Sequence, residues 1–357
     1  MADEIRVGLL GSGSAAEQYL WHAGQGCPLR HVACADVDVA RAVALAQAWG
    51  LPRACTPDEL LADPELDVVV NLTPAALHGR TGLGVLEAGK HLYSEKPLAA
   101  DVSQARELLQ AADRLGLRVG CAPDTFLGPA QQTVRRLLDA GHLGQVFAAS
   151  ASVAMFQPET WHPRPAQFYG EAAGPLYDMG PYYLTALVFL LGPVARVAGL
   201  GTIARRERRA GGMTIMPSVP SHEVGVLEFA SGVVATLMVS FDAAASAAPP
   251  LEVHGSLGTL LLPDPNGGGG TVASRRHGVP EWAEEAQVEP GNPTRCAGIV
   301  DMVTAIREGR PHRASGELGL HVLDVMESLR RSGETRGVVE LTTTCPRPEP
   351  LRLTSGT

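Results

Sequence analysis

The chain has 357 residues, of which 45% are hydrophobic and 19% are charged, and its formal net charge is −9. This length is enough for two domains that each bury a core, and the negative charge argues against non-specific nucleic-acid binding. The apolar runs are too short to cross a bilayer, and the cysteines show no zinc-type spacing. We therefore expect a cytoplasmic protein with reduced thiols, no membrane span and no bound metal.

The first predicted strand, residues 5–10, leads directly into the run Gly-Ser-Gly-Ser-Ala-Ala. Gly11 permits a tight turn, Gly13 lets the backbone approach a pyrophosphate, and Ala16 allows close packing of the helix predicted over 15–24. The N-terminus of that helix offers N–H groups to the phosphates. The pattern predicts a dinucleotide site built from Gly11, Ser12, Gly13, Ser14 and Ala15.

A second apolar strand, residues 29–35, ends at Asp36, and a helix is predicted over 39–49. A carboxylate at this place can accept hydrogen bonds from an adenosine ribose, and it repels a 2′-phosphate. We therefore predict NAD as the cofactor, with NADP as the alternative. As a purely structural residue, Asp36 would be in a loop or cap the helix.

The alternation of strands and helices continues to residue 121. The predicted strands are 66–72, 91–93 and 117–121, and the predicted helices are 77–88 and 101–115. This order predicts an α/β fold with a parallel, doubly wound sheet, in which the loops after the strands gather at one ligand-binding edge. The residues expected at that edge as cofactor neighbours are Asn71, Thr73, Pro74, His78, Glu95 and Lys96. For His78, a core or capping role is the alternative.

Lys96 is one of only two lysines in the chain, against 27 arginines. Unlike arginine, lysine can lose its proton when burial or a neighbouring charge lowers its pKa. Lys96 follows a predicted strand and stands between Glu95 and Pro97, which makes it the first candidate for proton transfer. A surface lysine in a turn is the alternative interpretation.

The pattern then changes to longer strands joined by short glycine-containing turns, which predicts an α+β domain with a large open, mostly antiparallel sheet. We expect a Rossmann domain at 1–123 and this second domain at 124–357. The basic run 205–209 is expected to be a solvated loop, with a surface for an anionic ligand or partner as the alternative. The predicted elements are helices at 128–140, 294–308 and 316–332 and strands at 145–155, 195–203, 222–229, 233–240, 251–262 and 338–342.

Asp178 and Tyr182 are four residues apart in the second half, beside Gly180 and Pro181. At the start of a helix this spacing places both side chains on one face. A carboxylate and a phenol that face the same way can bind vicinal hydroxyls and relay a proton. Alternatively, Asp178 caps the helix and Tyr182 packs under the sheet.

Together these motifs resemble the glucose–fructose oxidoreductase / inositol dehydrogenase / rhizopine-catabolism (Gfo/Idh/MocA) family. The most specific part is the Ala-Gly-Lys-His run at 88–91 that leads to Glu95-Lys96-Pro97. The resemblance implies an NAD- or NADP-dependent oxidoreductase for a small carbohydrate substrate, and homodimers or homotetramers packed through the C-terminal sheet. It also implies Lys96 as the catalytic lysine, Asp178 as its partner near the substrate, and a cis bond between Lys96 and Pro97.

The chain departs from the family pattern at two places. Tyr182 stands where inositol dehydrogenase-like members carry histidine, although glucose–fructose oxidoreductase-like members carry tyrosine there. Asp124 lies in a segment where many members have an asparagine–arginine-type pattern, so the substrate surroundings are expected to be particular to a subgroup. The predicted substrate contacts are Asp124, Trp161, His162, Asp178 and Tyr182, with a structural role as the alternative for His162.

The predicted reaction is reversible hydride transfer between nicotinamide and a carbinol or keto carbon, with Lys96 as general acid/base. Two alternatives stay open. One is glycoside cleavage that uses bound NAD without net oxidation, and the other is a regulatory protein that binds NAD(P) without catalysis.

Overall fold

The computed structural model describes residues 5–25, 27, 29–170, 172–288 and 295–352. Within these residues the chain forms two compact units, the first from 5–125 and 295–320 and the second from 126–288 and 321–352. The sequence indicated one boundary after residue 123. It gave no sign that 295–320 returns to the first unit.

The described residues contain ten α-helices and seventeen strands. The helices are α1 (Ser14–Ala23), α2 (Val39–Trp49), α3 (Pro57–Leu61), α4 (His78–Glu87), α5 (Val102–Leu115), α6 (Pro129–Asp139), α7 (Pro175–Asp178), α8 (Gly180–Leu191), α9 (Ala297–Glu308) and α10 (Gly316–Thr335). The strands are β1 (Arg6–Leu10), β2 (Arg30–Ala35), β3 (Ala54–Cys55), β4 (Val68–Asn71), β5 (His91–Ser94), β6 (Val119–Cys121), β7 (Val146–Ala154), β8 (Val194–Thr202), β9 (Arg208–Ala210), β10 (Met213–Ile215), β11 (His222–Phe229), β12 (Val234–Ser240), β13 (Leu251–Gly255), β14 (Gly258–Leu262), β15 (Ala273–Arg276), β16 (Ala283–Glu284) and β17 (Val339–Glu340).

The first unit is built on a parallel sheet with the strand order β3-β2-β1-β4-β5-β6. This is the order of a doubly wound dinucleotide-binding sheet, and it confirms the fold predicted from the sequence. All four residues of β4 are buried, as a central parallel strand requires. Helix boundaries follow local chemistry: Asp101 caps α5 by accepting the N–H of Gln104 at 2.8 Å, and Gly116 ends the helix with φ +67°.

The second unit contains a nine-stranded sheet with the order β16-β15-β14-β13-β7-β12-β11-β8-β17. Only the β7–β12 pairing is parallel, so the predicted mixed, mostly antiparallel sheet is confirmed. The predicted strand 251–262 is a hairpin of β13 and β14. Every residue of α8 is buried, which makes it a core helix. None of the helices in the described part of the chain combines the length and apolar character that a membrane crossing requires.

Most predicted elements match observed ones to within a few residues, and the differences lie in short pieces. The elements not predicted from the sequence are β3, α3, β9, β10, β15 and β16, and each has five residues or fewer. The helix predicted from residue 294 is α9, and its predicted start lies outside the described residues. Elements this short cannot be predicted from hydrophobic periodicity, because they contain too few residues to show a repeat.

The basic run 205–209 is not a solvated loop throughout, so that prediction was wrong for Arg208. Its guanidinium donates to Glu159 at 2.9 Å and to Asp242 at 2.5 Å, and it lies 4.6 Å from the centre of the Tyr169 ring. Its side chain is fully buried, whereas that of Arg209 is 82% exposed. A charge pattern could not reveal this, because both carboxylates are distant in sequence.

We expect Arg208→Ala to lower the free energy of unfolding by about 3–5 kcal/mol, because it removes the buried cation from the carboxylates of Glu159 and Asp242, which are 6% and 13% exposed. Chemical denaturation measures this change. Arg209→Ala is the matched control, since it removes an exposed arginine from the same strand, and it should change stability by less than about 0.5 kcal/mol. Similar small effects of the two variants would contradict a stabilising role for the buried cluster.

Candidate active site

The loop between β1 and α1 has a backbone that requires glycine at its first position. Gly11 has φ +108°, and a Cβ atom there would lie 2.6 Å from the carbonyl oxygen of Leu72. At Gly13 a Cβ would meet no atom within 4 Å, so the backbone borders open space. Gly13 provides no side-chain cap for α1. An uncapped helix N-terminus beside open space fits the binding of a pyrophosphate.

Asp36 lies beside this loop at the end of β2. Its Oδ2 atom accepts the N–H of Ser12 at 3.0 Å, and its Oδ1 atom accepts the N–H of Asp38 at 2.9 Å. The cap of α2 is Asp38, which accepts the N–H of Ala40, so Asp36 is not the helix cap. A carboxylate has lone pairs beyond these two contacts. The geometry therefore fits a carboxylate that also accepts a ribose hydroxyl.

Asn71 is fully buried and organises the edge of the sheet from within. Its amide NH₂ donates to Thr81 Oγ1 at 2.9 Å and to the carbonyl of His78 at 3.2 Å. Its Oδ1 accepts the Thr73 hydroxyl at 2.7 Å, and its carbonyl accepts the N–H of Glu95 at 2.9 Å. Asn71 thus connects the turn after β4 with α4 and with the turn after β5. Thr81 completes this network and was missed from the sequence, because a threonine inside a helix forms no motif.

His78 links the same two turns. Its Nδ1 lies 2.6 Å from the carbonyl oxygen of Pro97, and its Nε2 lies 2.7 Å from that of Thr73. Burial lowers the pKa of His78, and the two carbonyls act in the opposite direction. A neutral imidazole can donate to only one of these carbonyls. Since His78 is 2% exposed, its contacts are those of a core residue that fixes the turn after β5.

Pro74 follows Thr73 in the turn after β4. It is exposed and precedes the short turn of helix at Ala75–Leu77.

Lys96 lies half-buried in the turn after β5, directly after Glu95. The carboxylate of Glu95 accepts the N–H of Lys96 at 3.0 Å. The bond between Lys96 and Pro97 is cis, which confirms the expectation from the family resemblance. The other lysine, Lys90, is buried and donates from Nζ to the carbonyl of Asp63 at 2.6 Å. Lys90 therefore has a structural role, and Lys96 is the lysine at the carboxyl edge of the sheet.

Asp124 is an interior residue of the first unit, 2% exposed. Its Oδ2 accepts the N–H of Gly298, in the first turn of α9, at 2.7 Å. A Cβ at Gly298 would lie 2.3 Å from the Tyr93 hydroxyl and 2.7 Å from Cβ of Asp124. Burial raises the pKa of the Asp124 carboxyl to about 7, against the lowering effect of the Gly298 N–H. In this position Asp124 holds the start of α9 and offers a substrate almost no surface.

We predict that ionisation of Asp124 costs the folded protein stability. Its pKa rises from 3.8 to about 7 on burial. The folded state therefore binds the proton more tightly, and the stability this provides is present below about pH 4 and lost as the pH rises through about 7. Asp124→Asn has no such titration, so its unfolding temperature relative to the unmodified chain should increase between about pH 5 and 7.5. Asp113→Asn, at an exposed site of α5, should show no such trend. A constant difference across this range for Asp124→Asn would contradict the assignment.

In the second unit, Asp178 and Tyr182 are on two consecutive helices. Asp178 is the last residue of α7, and Tyr182 lies in the first turn of α8, with the break at Met179. The expected single helix is therefore wrong. The N-cap position of α8 is Met179 and not Asp178. Asp178 is half-buried, whereas Tyr182 is 7% exposed.

Trp161 and His162 belong to a loop after β7 that aromatic rings hold together. The ring centres of His162 and Phe168 are 4.8 Å apart, and those of Trp161 and Phe168 are 6.0 Å apart. His162 Nδ1 accepts the N–H of Arg164 at 3.0 Å, and its Nε2 lies 3.5 Å from Nε2 of Gln167. Trp161 is 54% exposed and presents an aromatic surface to solvent. The buried Arg208–Glu159 ion pair anchors this loop.

The doubly wound sheet, the glycine-rich loop and the carboxylate at the end of β2 define a dinucleotide-binding domain of the kind that serves oxidoreductases. Sequence models agree: the oxidoreductase family with an NAD-binding Rossmann fold matches residues 5–122, and the GFO/IDH/MocA C-terminal domain matches residues 131–261. The chain belongs to the Gfo/Idh/MocA family. It is therefore an NAD(P)-binding oxidoreductase of that family.

The similarity to known proteins covers much of the chain. An uncharacterized oxidoreductase of Rhizobium meliloti is 28% identical over 355 residues, which is 93% of this chain and 98% of that protein. The 1,5-anhydro-D-fructose reductase of Ensifer adhaerens is 27% identical over 267 residues, covering 72% and 75%. A solved structure of levoglucosan dehydrogenase with NADH and levoglucosan has a TM-score of 0.84 at 18% identity, covering 96% of this chain and 100% of that one. This last likeness shows the shared fold.

Proposed function

We propose that this protein is an NAD-dependent dehydrogenase or reductase that acts on a carbinol or keto carbon of a sugar, a polyol or a related carbohydrate. The observation that carries the proposal is Lys96, the one lysine at the carboxyl edge of the sheet, on a turn held by Asn71 and His78. The names of the similar proteins, an anhydrofructose reductase and a levoglucosan dehydrogenase, support a compact carbohydrate as the substrate class.

The residues present fit a nicotinamide dinucleotide. The backbone of residues 11–15 would bind the pyrophosphate, and Asp36 would accept the adenosine ribose hydroxyls and repel a 2′-phosphate. Thr73, Pro74, Glu95 and Lys96 would line the path towards the nicotinamide, with their turns fixed by Asn71 and His78 from behind. When bound, the cofactor supplies or accepts the hydride.

Lys96 would handle the proton that accompanies the hydride. In the oxidation direction its neutral amine takes the proton of the reacting hydroxyl, and in reduction its ammonium returns a proton to the carbonyl oxygen. Arginine could not serve here, because it does not give up its proton in a protein. Asp178 and Tyr182 would bind hydroxyls of the carbohydrate, and Trp161 and His162 would contact its ring.

We expect Lys96→Ala and Lys96→Arg to lower kcat by about 10²–10⁴-fold, the usual contribution of a general acid/base. The affinity for NAD, measured by fluorescence titration, should change little because the phosphates and ribose bind elsewhere. Lys90→Arg, which alters the other lysine, is the control and should retain turnover. A near-normal kcat in Lys96→Ala would contradict the role of Lys96 as general acid/base.

Asp36→Asn should reduce the preference for NAD over NADP in kcat/KM by about tenfold or more, because it removes a negative charge that would face the 2′-phosphate. The amide oxygen can still accept the N–H of Ser12, so the loop keeps its shape. Asp38→Asn is the matched control, as it changes the neighbouring helix cap. An unchanged cofactor preference in Asp36→Asn argues against the ribose-binding role.

The function itself is tested by a cofactor-reduction screen with monosaccharides, anhydro sugars, inositols and glycosides, run with NAD and with NADP. Reduction of either cofactor by one of these compounds supports the proposal. Glycoside cleavage without added cofactor and without net reduction would favour the non-redox alternative. Tight NAD binding with no turnover of any compound would favour a regulatory protein.

A second copy of the chain is the partner that we propose for the open face of the nine-stranded sheet. Leu200, Val224 and Val226 lie on adjacent strands of that face and are 64%, 42% and 45% exposed. Adjacent exposed apolar side chains are typical of an interface between subunits. A homodimer or homotetramer through this sheet would cover them.

A further inference from the structure

An ion pair in the second unit contacts the turn that carries Asp178. Arg330 of α10 donates from Nε to Glu223 Oε1 at 3.0 Å and from Nη2 to Glu223 Oε2 at 3.3 Å. The two side chains are 16% and 8% exposed, so solvent screens the pair weakly. The residues are 107 positions apart in sequence, and no motif drew attention to either of them.

The guanidinium of Arg330 contacts two residues just before Asp178 and lies close to the backbone of a third. Nη2 donates to the carbonyl of Ala173 at 2.5 Å, and Cζ lies 4.4 Å from the centre of the Tyr177 ring. Gly174, between them, has φ +85°, and a Cβ there would lie 2.9 Å from Nη2 and 2.8 Å from the carbonyl oxygen of Pro220. Glycine at 174 therefore lets the backbone approach the cation closely.

Glu223 contributes a third contact to the same turn. Burial raises the pKa of its carboxyl, while Arg330 and the N–H of Leu176, which donates to the carboxylate, lower it. The pair thus contacts residues 173, 176 and 177 through one cation and one anion. The turn closes with the N–H of Asp178 donating to the carbonyl of Gly174 at 3.0 Å. Asp178 is therefore the first residue beyond a segment that the ion pair contacts at Ala173, Leu176 and Tyr177.

We propose that Glu223 and Arg330 are positioning residues that set the orientation of Asp178 towards the carbohydrate hydroxyls. The proposal rests on the proposed function, in which Asp178 binds the substrate. Arginine suits this task because its planar fork can donate to a carboxylate and a carbonyl while its face lies on an aromatic ring. An ammonium group in its place keeps the charge but cannot make all these contacts together.

Arg330→Lys tests the proposal, because it retains a partner charge for Glu223. We expect kcat to fall about ten- to hundredfold, the cost of misplacing a catalytic group by about an ångström. The KM for NAD and the unfolding temperature should change little. Hydrogen exchange should become faster at the amides of Asp178 and Met179, which close the turn, and stay unchanged in β11 and β12. Arg331→Lys, at the exposed neighbouring position, is the matched control and should match the unmodified protein in every measurement.

The double variant Arg330→Met with Glu223→Gln removes both charges and leaves no buried ion unpaired, so it guards against a result that reflects misfolding. It should show the same loss of kcat and the same local exchange. Unchanged exchange at Asp178 and Met179 in both variants would overturn the positioning role. Faster exchange with unchanged kcat would overturn its link to catalysis while leaving the proposed function intact. A protein without carbohydrate turnover before any substitution would overturn the proposed function and the catalytic part of this proposal, and the exchange data would still decide whether the pair holds the turn.

Discussion

The carboxyl edge of the parallel sheet depends on the buried amide of Asn71. Where strands end, their chains must leave the hydrogen-bonded sheet, and buried polar groups there need new partners. Asn71 supplies several of them at once, to Thr73, Thr81, the carbonyl of His78 and, through its own carbonyl, Glu95. With His78 beside it, this side chain ties the turn after β4 to the turn after β5. The position of Lys96 depends on these contacts, because Asn71 and His78 bind the residues on either side of it, Glu95 and Pro97.

The arginines and lysines of the chain differ in their surroundings and in their chemistry. Arg208 and Arg330 are buried against carboxylates in the second unit, where a permanent charge with several donors can satisfy distant partners together. A buried ion pair of this kind contributes little net stability, but removing one partner destabilises the protein strongly because the other charge is left buried and unpaired. Lys90 is likewise committed to a backbone carbonyl. Proton transfer needs a cation that can become neutral, and that property distinguishes Lys96 from the 27 arginines.

Asp124 shows why a motif position does not by itself give a role. In sequence it follows the last strand of the first domain, where a ligand contact is expected. In the structure it accepts the N–H of Gly298 from a segment 174 residues away that returns to the first unit. The segment before Asp178 depends on a distant partner in the same way, because the carbonyl of Ala173 accepts a hydrogen bond from Arg330, 157 residues further along the chain. In both cases a contact distant in sequence decides what a local pattern leaves open.

The sequence by itself determined the doubly wound sheet, the glycine-rich loop, the carboxylate at Asp36 and the lysine at the sheet edge. These features follow from hydrophobic periodicity, from the need for glycine at a positive φ and from the chemistry of single side chains, all of which are local. Only the tertiary structure revealed that Asn71 and His78 face inwards, that Arg208 is buried, and that Glu223 and Arg330 hold the Asp178 turn. Each of these depends on partners that the fold brings together, 34 and 49 residues apart for Arg208 and 107 and 157 residues apart for Arg330. Burial and hydrogen-bond pairing of that kind leave no periodic trace in the chain.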